Sequence, residues 1–151
     1  MKRLYTDASF DHRSTDKTAE NIVRGKIAIA DGLGFAKVDK VAVGKVEGLK
    51  QYINVLELTA VARAIELACE MKDCEGSLVV FTDSQTAMYW ARAAKIKDSV
   101  RTVAHDNALE YLRNARIKFG GIVTFDFVPR EKNFAGWLLA EELEKEPPHT
   151  L

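Results

Sequence analysis

The feature that most constrains the fold is a short, wholly apolar run in the middle of the chain, Leu78-Val79-Val80-Phe81. A run of this length without polar alternation is typical of a β-strand that is buried on both faces of a sheet. Gly76 separates it from the preceding segment, which is rich in Ala, Leu and Glu. The run therefore predicts an inner strand of a sheet that helices cover.

The sequence before this run divides into a part with predicted strands and a part with a predicted helix. Predicted strands cover Lys2–Ala8 and Lys26–Ala30, Asp31-Gly32 is a turn signal, and alternation over Phe35–Val46 predicts the pairing partners of a meander. The stretch Ser9–Arg24 is polar and shows no periodicity. From Tyr52 to Met71, good helix formers dominate, and an apolar stripe at i, i+3, i+4 and i+7 predicts one buried face: Val61, Ala64, Ile65 and Ala68.

The rest of the chain alternates between helix and strand. Helices are predicted over about Ser84–Ala94, Ser99–Ala115 and Asn133–Lys145, and a strand over Ile122–Val128. The resulting order, β-β-β-α-β-α-α-β-α, predicts an α/β fold with a mixed sheet and helices packed on it. We expect one domain over residues 1–146 and a mobile tail over 147–151.

Composition limits the classes of function. The chain has 151 residues, 22 basic and 22 acidic side chains, so a nucleic-acid partner must be argued from local sites. No apolar run reaches the ~18 residues of a membrane span, and the first residues lack a signal-peptide cleavage site. We therefore expect a cytoplasmic protein without membrane contact, and nothing indicates a protein partner. Cys69 and Cys74 fit neither a CxxC nor a zinc pattern, and we expect idle thiols.

Three carboxylates stand where carboxylates are costly. Asp7 lies at the end of the first predicted strand, Asp83 follows the apolar run, and Glu57 stands at the top of the helix's apolar stripe. No Lys or Arg closely flanks them in sequence, whereas a divalent cation would satisfy all three, and oxygen ligands suit magnesium or manganese. Singly, each has an ordinary explanation: Asp7 as a strand-end residue, Asp83 as a helix N-cap and Glu57 as a first-turn acid. Their joint placement favours a metal site.

Four short motifs then resemble those of type 1 ribonuclease H, in the same order and on the same elements. They are Tyr5-Thr6-Asp7-Ala8-Ser9, Asn54-Val55-Leu56-Glu57, Phe81-Thr82-Asp83-Ser84-Gln85 and Val128-Pro129-Arg130-Glu131-Lys132-Asn133. The resemblance covers nearly the whole chain. It implies the ribonuclease H-like sheet of five strands, a three-strand antiparallel meander plus two parallel strands.

The resemblance also implies an activity. The family hydrolyses the RNA strand of RNA–DNA hybrids with two magnesium ions, for which manganese can stand in. It implies that Asp7, Glu57 and Asp83 are the catalytic metal ligands, with Asp7 bridging both ions. It further implies contacts to the hybrid from residues that follow or precede these acids: Ala8, Ser9, Asn54, Ser84, Gln85, Arg130 and Asn133.

The last motif departs from the family pattern N-x-x-A-D-x-L-A. Asn133, Leu139 and Ala140 keep the frame, but Trp137 stands where the fourth carboxylate is usual. Glu141, four residues later, is a candidate substitute, and Trp137 itself could pack on the sheet or stack on a base or sugar. The mobile histidine that some members carry before this helix is also absent. Two other functions therefore stay open: a hybrid-binding module with weakened or lost activity, and a nuclease of the same superfamily with another substrate.

Overall fold

Five strands form a single sheet in the order β3-β2-β1-β4-β5. A computed structural model describes residues 2–10, 22–44, 49–71 and 76–145 of the protein. The strands are β1 (Lys2–Phe10), β2 (Ile22–Ala30), β3 (Ala36–Gly44), β4 (Ser77–Thr82) and β5 (Ile122–Phe127). β1 pairs with β2, and β2 with β3, in antiparallel fashion, whereas β4 is parallel to both β1 and β5. The predicted meander plus two parallel strands is confirmed.

Four α-helices accompany the sheet in the described residues. They are α1 (Leu49–Met71), α2 (Gln85–Ala93), α3 (Val103–Phe119) and α4 (Phe134–Glu144). The order of elements agrees with the prediction, but the third helix begins four residues later than expected. The Thr102 side chain caps α3 in a reciprocal capping box with His105, and Gly120 ends it in the left-handed conformation.

The sheet is also longer at one end than the sequence predicted. β1 continues to Phe10, and β2 already begins at Ile22, inside the stretch that was expected to be irregular. Strand pairing explains the difference, since Phe10 lies opposite Gly25 and Ile22 opposite Gly44. Cross-strand partners thus impose β structure on residues without a clear pattern of their own.

The two faces of the sheet carry hydrophobic clusters of unequal size. Leu4 and Ile27 belong to the large cluster with α1, α2 and α3, whereas Ala28 joins Ala135 and Leu139 of α4 in a small one. Neighbouring strand residues point to opposite faces, so α4 covers the face opposite to α1. Within the apolar run of β4, Leu78, Val79 and Val80 are buried as predicted, whereas Phe81 is half-buried.

Helix α1 is buried on more than the predicted stripe. Val61, Ala64, Ile65 and Ala68 are all buried, and so are residues on its other sides, such as Leu56 and Leu67. The helix lies between the sheet and α3, which explains the wider burial. Cys69 is a free thiol, while Cys74 and the predicted tail fall outside the described residues. No described helix is long and apolar enough to cross a membrane.

Candidate metal centre

The register of β1 and β4 brings two aspartates side by side. Thr6 of β1 is paired in parallel with Thr82 of β4. The residue after each threonine is an aspartate, Asp7 after Thr6 and Asp83 after Thr82. Parallel strands end at the same edge of a sheet, and both side chains therefore emerge at one place. β5 joins the same edge, where the Val128 amide donates a hydrogen bond to the Thr82 carbonyl over 2.9 Å.

Helix α1 adds a third carboxylate to this edge. The Glu57 residue is only 5% exposed and stands among buried residues of the helix. One carboxylate oxygen from each of Asp7, Glu57 and Asp83 lies within 4.8 Å of the others. Among the residues that the structure describes, these three are the only group of acidic, histidine or cysteine side chains with such spacing. The sequence prediction that the three acids converge is thus matched by the coordinates.

Two oxygens of this cluster have no partner within the protein. Glu57 Oε2 and Asp83 Oδ2 are buried and make no hydrogen bond. A buried carboxylate oxygen without a donor is costly, because it has lost its water and gained nothing in exchange. Hard divalent cations take their ligands from carboxylate oxygens, so the donor set fits magnesium or manganese.

The pKa values of the three acids show the same cost of burying carboxylates without a cation. Burial, together with the Asp83 charge, raises the pKa of Asp7 to about 6, although a hydrogen bond from the Ala8 backbone opposes the shift. Burial and then the charges of Asp7 and Asp83 raise the pKa of Glu57 well above its ordinary value. Burial likewise raises the pKa of Asp83. The metal-free cluster therefore holds protons that a divalent cation would displace.

Arg130 supplies the nearest positive charge. It is exposed, lies in the short 3-10 turn Arg130–Lys132 between β5 and α4, and its charge lowers the pKa of both Asp7 and Asp83. It forms no ion pair with the three acids, and neither does any other described Lys or Arg. Arg130 thus adds positive potential at the mouth of the cluster without neutralising it.

Buried polar side chains fix the strand ends that carry the aspartates. The Thr6 hydroxyl donates to the Phe81 carbonyl over 2.9 Å, and the Ser84 amide donates to the Thr82 hydroxyl over 3.0 Å. Both threonines are fully buried. The Thr-Asp pair that recurs in the motifs around Asp7 and Asp83 is the sequence signal for this arrangement.

Asn133 ties α4 to the same strand end. Its side-chain amide donates to the Thr6 carbonyl over 2.9 Å, while its carbonyl oxygen accepts from the Ala135 amide over 3.1 Å and caps α4. Asn133 also lowers the pKa of Asp83 through a side-chain hydrogen bond. Asn133 has no exposed surface, and its hydrogen bonds hold the strand end that carries Asp7. Its predicted contact with nucleic acid stays a prediction.

The other residues predicted to contact nucleic acid lie close to the three acids in the sequence. Asn54 is partly exposed and lies one turn before Glu57 on α1, and Ser84 and Gln85 directly follow Asp83. The Ser84 hydroxyl accepts from the Ala87 amide and caps α2, while Gln85 is exposed. At the end of β1, the Ala8 side chain is buried and only Ser9 is partly exposed. The contact expected of Ala8 was through its backbone. The Ala8 backbone already hydrogen-bonds to the acids of the cluster.

Helix α4 meets the cluster through a glycine. A Cβ added at Gly136 would lie 3.3 Å from Asp7 Oδ2, closer than ordinary side-chain packing allows. Trp137, the next residue, is 55% exposed and packs its ring edge-on against Phe134. Glu141 is not part of the cluster, and its carboxylate lies 3.8 Å from the Lys145 ammonium. The suggestion that Glu141 replaces a fourth ligand is therefore not supported. Sequence reasoning also missed the proximity of Gly136, which no local pattern signals.

No protein-family model and no curated protein matches the chain. Solved structures do match it. RNase H1 from the halophilic archaeon Halobacterium salinarum NRC-1 aligns with 95% of this chain and 98% of its own, with a TM-score of 0.61 and 17% identity. The N-terminal RNase H domain of a Mycobacterium tuberculosis protein aligns with 91% of this chain and 93% of its own, with a TM-score of 0.59 and 13% identity.

A third structure contains nucleic acid. LC11-RNase H1, isolated from compost by a metagenomic approach, was solved in complex with an RNA/DNA hybrid. In that complex it aligns with 87% of this chain and 88% of its own, with a TM-score of 0.56 and 18% identity. At these identities the likeness establishes the fold: the chain has a ribonuclease H-like fold.

Proposed function

We propose that this chain, which has the ribonuclease H-like fold, is a metal-dependent endonuclease that hydrolyses the RNA strand of RNA–DNA hybrids. The observation that carries the proposal is the convergence of Asp7, Glu57 and Asp83 at one sheet edge, with Glu57 Oε2 and Asp83 Oδ2 buried and unpartnered. Stability alone does not favour such a cluster, because three like charges at this spacing repel one another. A cation turns the same arrangement into a favourable one.

Each acid has a distinct place in the proposed reaction. Asp7 lies close to both Glu57 and Asp83, so its carboxylate would hold metal together with each of them. When bound at such a site, a pair of magnesium or manganese ions activates the attacking water and stabilises the leaving oxygen. The protein holds the carboxylates in register through Thr6, Thr82 and Asn133, so little reorganisation is needed when substrate binds.

Recognition of the hybrid would come from the partly exposed polar residues around the cluster. Asn54 and Gln85 offer amide groups that can both donate to and accept from a 2′-hydroxyl, the group that distinguishes RNA from DNA. Arg130 adds a positive charge beside the acids, where a phosphate must approach. The hybrid bound to the similar LC11-RNase H1 supports this class of substrate.

A second function is favoured by one observation on α4. Gly136 of that helix lies beside Asp7, and Trp137 stands where the family pattern has an acid, so α4 contributes no carboxylate to the cluster. With fewer protein ligands, one of the two ions would keep more water and bind more weakly. Magnesium would suffer more than manganese, because it demands near-ideal geometry. The second candidate is therefore a hybrid-binding module with weak or no cleavage.

The test uses one end-labelled RNA–DNA hybrid, the matching duplex DNA and the matching duplex RNA. Each is incubated with the protein in magnesium, in manganese and in chelator, and the products are resolved by length. We expect cleavage of the RNA strand of the hybrid alone, faster in manganese than in magnesium, and none in chelator. Hybrid binding without cleavage in either metal would establish the second candidate, and cleavage of all three duplexes would point to a nuclease with another substrate.

Asn54→Ala separates recognition from chemistry in the same assay. The proposal predicts weaker hybrid binding by about 1–3 kcal/mol, as expected when a polar group loses its hydrogen-bond partner. Duplex DNA should bind poorly to both forms. If wild-type protein binds duplex DNA and hybrid equally well, the proposed recognition of 2′-hydroxyls is wrong.

A further inference from the structure

A continuous row of four aromatic rings runs from the metal centre to the surface of α4. Phe81 of β4 stacks on Tyr5 of β1 with ring centroids 4.7 Å apart and planes 15° apart. Tyr5 meets Phe134 edge to face at 4.8 Å, and Phe134 meets Trp137 in the same manner at 5.2 Å. These spacings are the ones that attractive aromatic pairs adopt.

The row begins next to the carboxylates. Tyr5 stands two residues before Asp7, and Phe81 two residues before Asp83. Because side chains two apart on a strand share a face, Tyr5 and Asp7 lie on the α4 side of β1. Gly32 makes room for the row, since a Cβ there would lie 2.7 Å from the Phe134 ring. The backbone of Gly32 has a φ of +74°, which also favours glycine.

The row ends on an exposed indole. Trp137 is 55% exposed although its neighbour Phe134 holds it on one side. The residue before it, Gly136, is the α4 residue whose missing side chain leaves Asp7 Oδ2 open. An aromatic side chain that is held by packing but keeps an open surface beside a charged site loses little conformational entropy when a ligand covers it.

We infer that Trp137 is a nucleotide-contact residue. Its indole would pack against the sugar or base of the nucleotide adjacent to the one whose phosphate lies at Asp7, Glu57 and Asp83. The inference rests on the proposed function. It assigns to the position of the missing fourth acid a gain in substrate binding, which was one of the roles that the sequence left open for Trp137.

The position and the surrounding charge favour nucleic acid over another occupant. The exposed residues Arg130 and Lys132 lie in the short turn that leads into α4, the helix that carries Trp137. Stacking on bases or sugars does not depend on base identity, which suits an enzyme that must act along a hybrid of any sequence. Gly136, the residue before Trp137, lies beside Asp7 Oδ2. One bound strand can therefore reach both the indole and the carboxylate cluster.

Fluorescence gives a direct test, because the chain has two tryptophans and the other is Trp90. Trp90→Phe leaves Trp137 as the sole indole, and Asp83→Asn in the same protein keeps the hybrid intact during the measurement. We expect the emission of Trp137 to change on titration with the hybrid and to saturate at the binding constant measured separately by electrophoretic mobility.

Affinity and kinetics provide the second readout. Trp137→Ala should raise the hybrid dissociation constant by about 5- to 100-fold, the range that loss of aromatic stacking produces, and raise KM more than it lowers kcat. Trp137→Phe should recover most of the affinity. The matched control is Ile117→Ala, which removes another exposed apolar side chain, on α3, and should change neither constant. Circular dichroism confirms that each variant folds.

The outcomes separate this inference from the proposed function. If the wild type cleaves the hybrid but the Trp137 emission and the dissociation constant of Trp137→Ala are unchanged, the inference is wrong and the nuclease assignment stands. If the wild type binds no hybrid at all, both are wrong. Emission change, weakened binding and recovery in Trp137→Phe together would establish the contact.

Discussion

Helix α1 takes part in two clusters of acidic side chains, and only one of them includes a cation. In the first half of the helix Glu57 meets Asp7 and Asp83, and no lysine or arginine of the described chain forms an ion pair with any of them. Six residues further on, Arg63 bonds Asp39 of β3 over 3.0 Å and also hydrogen-bonds Glu66.

The second cluster is complete within the protein. The Arg63 guanidinium also lies 3.8 Å from Glu70, and the Tyr111 hydroxyl of α3 donates to Glu66 over 2.8 Å. Although burial opposes it, hydrogen bonds to Asp39 and Glu66 raise the pKa of Arg63. The cluster therefore joins β3, α1 and α3 as a structural contact in which a guanidinium pairs with the acids.

The first cluster is incomplete within the protein. Its pKa values are raised and two of its oxygens are buried without a donor. The same residue type on the same helix is thus stabilising where a guanidinium is built in and destabilising where it is not. The contrast supports the proposal that the Glu57 cluster binds a cation, since the fold shows at Arg63 how acidic side chains are paired with a guanidinium where only stability is served.

The largest expected effect is on activity, and it separates the clusters. Asp7→Asn or Asp83→Asn should reduce hybrid cleavage by more than about 100-fold, because even residues that merely support metal ligands contribute ~10–100-fold. Hybrid binding should stay close to wild type. Rates at saturating hybrid, measured by product length, test this prediction.

The matched control is the same change in the other cluster. Asp39→Asn keeps the shape of the side chain and removes one charge beside Arg63. The cleavage rate per folded molecule should be unchanged, and a loss equal to that of Asp7→Asn would mean that the clusters do not differ in function.

The next effect is on stability, and here we expect the loss in the Arg63 cluster rather than in the Glu57 cluster. Arg63→Met would leave Asp39 and Glu66 facing each other without their cation. We expect a loss of about 2 kcal/mol in the free energy of unfolding, below the ~3–5 kcal/mol of a fully buried pair because these groups are partly exposed. Asp7→Asn should leave the metal-free protein as stable or more stable near pH 7. Urea denaturation in chelator measures both, and equal destabilisation by the two variants would contradict the comparison.

A third effect concerns pH in the absence of metal. Burial and the Asp83 charge raise the pKa of Asp7 to about 6 from an ordinary value of 3.8, so the folded protein binds this proton more tightly than the unfolded chain. The stability contribution is complete below pH ~4 and is lost as the pH rises through about 6. The melting temperature in chelator should fall over this window, at ~2–4 °C per kcal/mol for a chain of this size. Asp7→Asn should flatten the curve, and an unchanged curve would place the titrating group elsewhere.

The smallest effects concern α4. Glu141→Ala should leave the cleavage rate unchanged, because its carboxylate lies beside Lys145 and outside the cluster. Trp137→Asp tests whether an acid at this position helps in magnesium. A nuclease that lacks one ligand should gain rate, whereas a lineage turned into a binding module should not. If Glu141→Ala lowers the magnesium-dependent rate, the place of the fourth acid has been misjudged.

The sequence predicted most of the fold and the acids of the centre, for reasons that lie in local patterns. The apolar run of β4, the stripe on α1 and the breaks at Gly76 and Gly120 are visible in single segments, and so the order of elements was correct. The end of β1 and the start of β2 were missed because strand partners, rather than their own residues, hold them in β structure.

The site was predicted where chemistry is local and missed where it depends on packing. Asp7, Glu57 and Asp83 are conspicuous as acids on apolar elements. The burial of Asn133 and the approach of Gly136 to Asp7 depend on how α4 docks on the sheet, which no neighbouring residue encodes. The aromatic row from Phe81 to Trp137 likewise joins three elements that are distant in sequence.

The most direct test of the central claim is to measure how manganese binds to the metal-free protein at pH 7. Thermal unfolding and isothermal titration calorimetry provide the two readouts. If the Glu57 cluster is a metal site, millimolar manganese should raise the melting temperature of the wild type and of Asp39→Asn alike, and binding should release protons. Asp7→Asn should lose most of both signals. A wild-type melting temperature that does not respond to manganese, or an equal response from Asp7→Asn, would contradict the account.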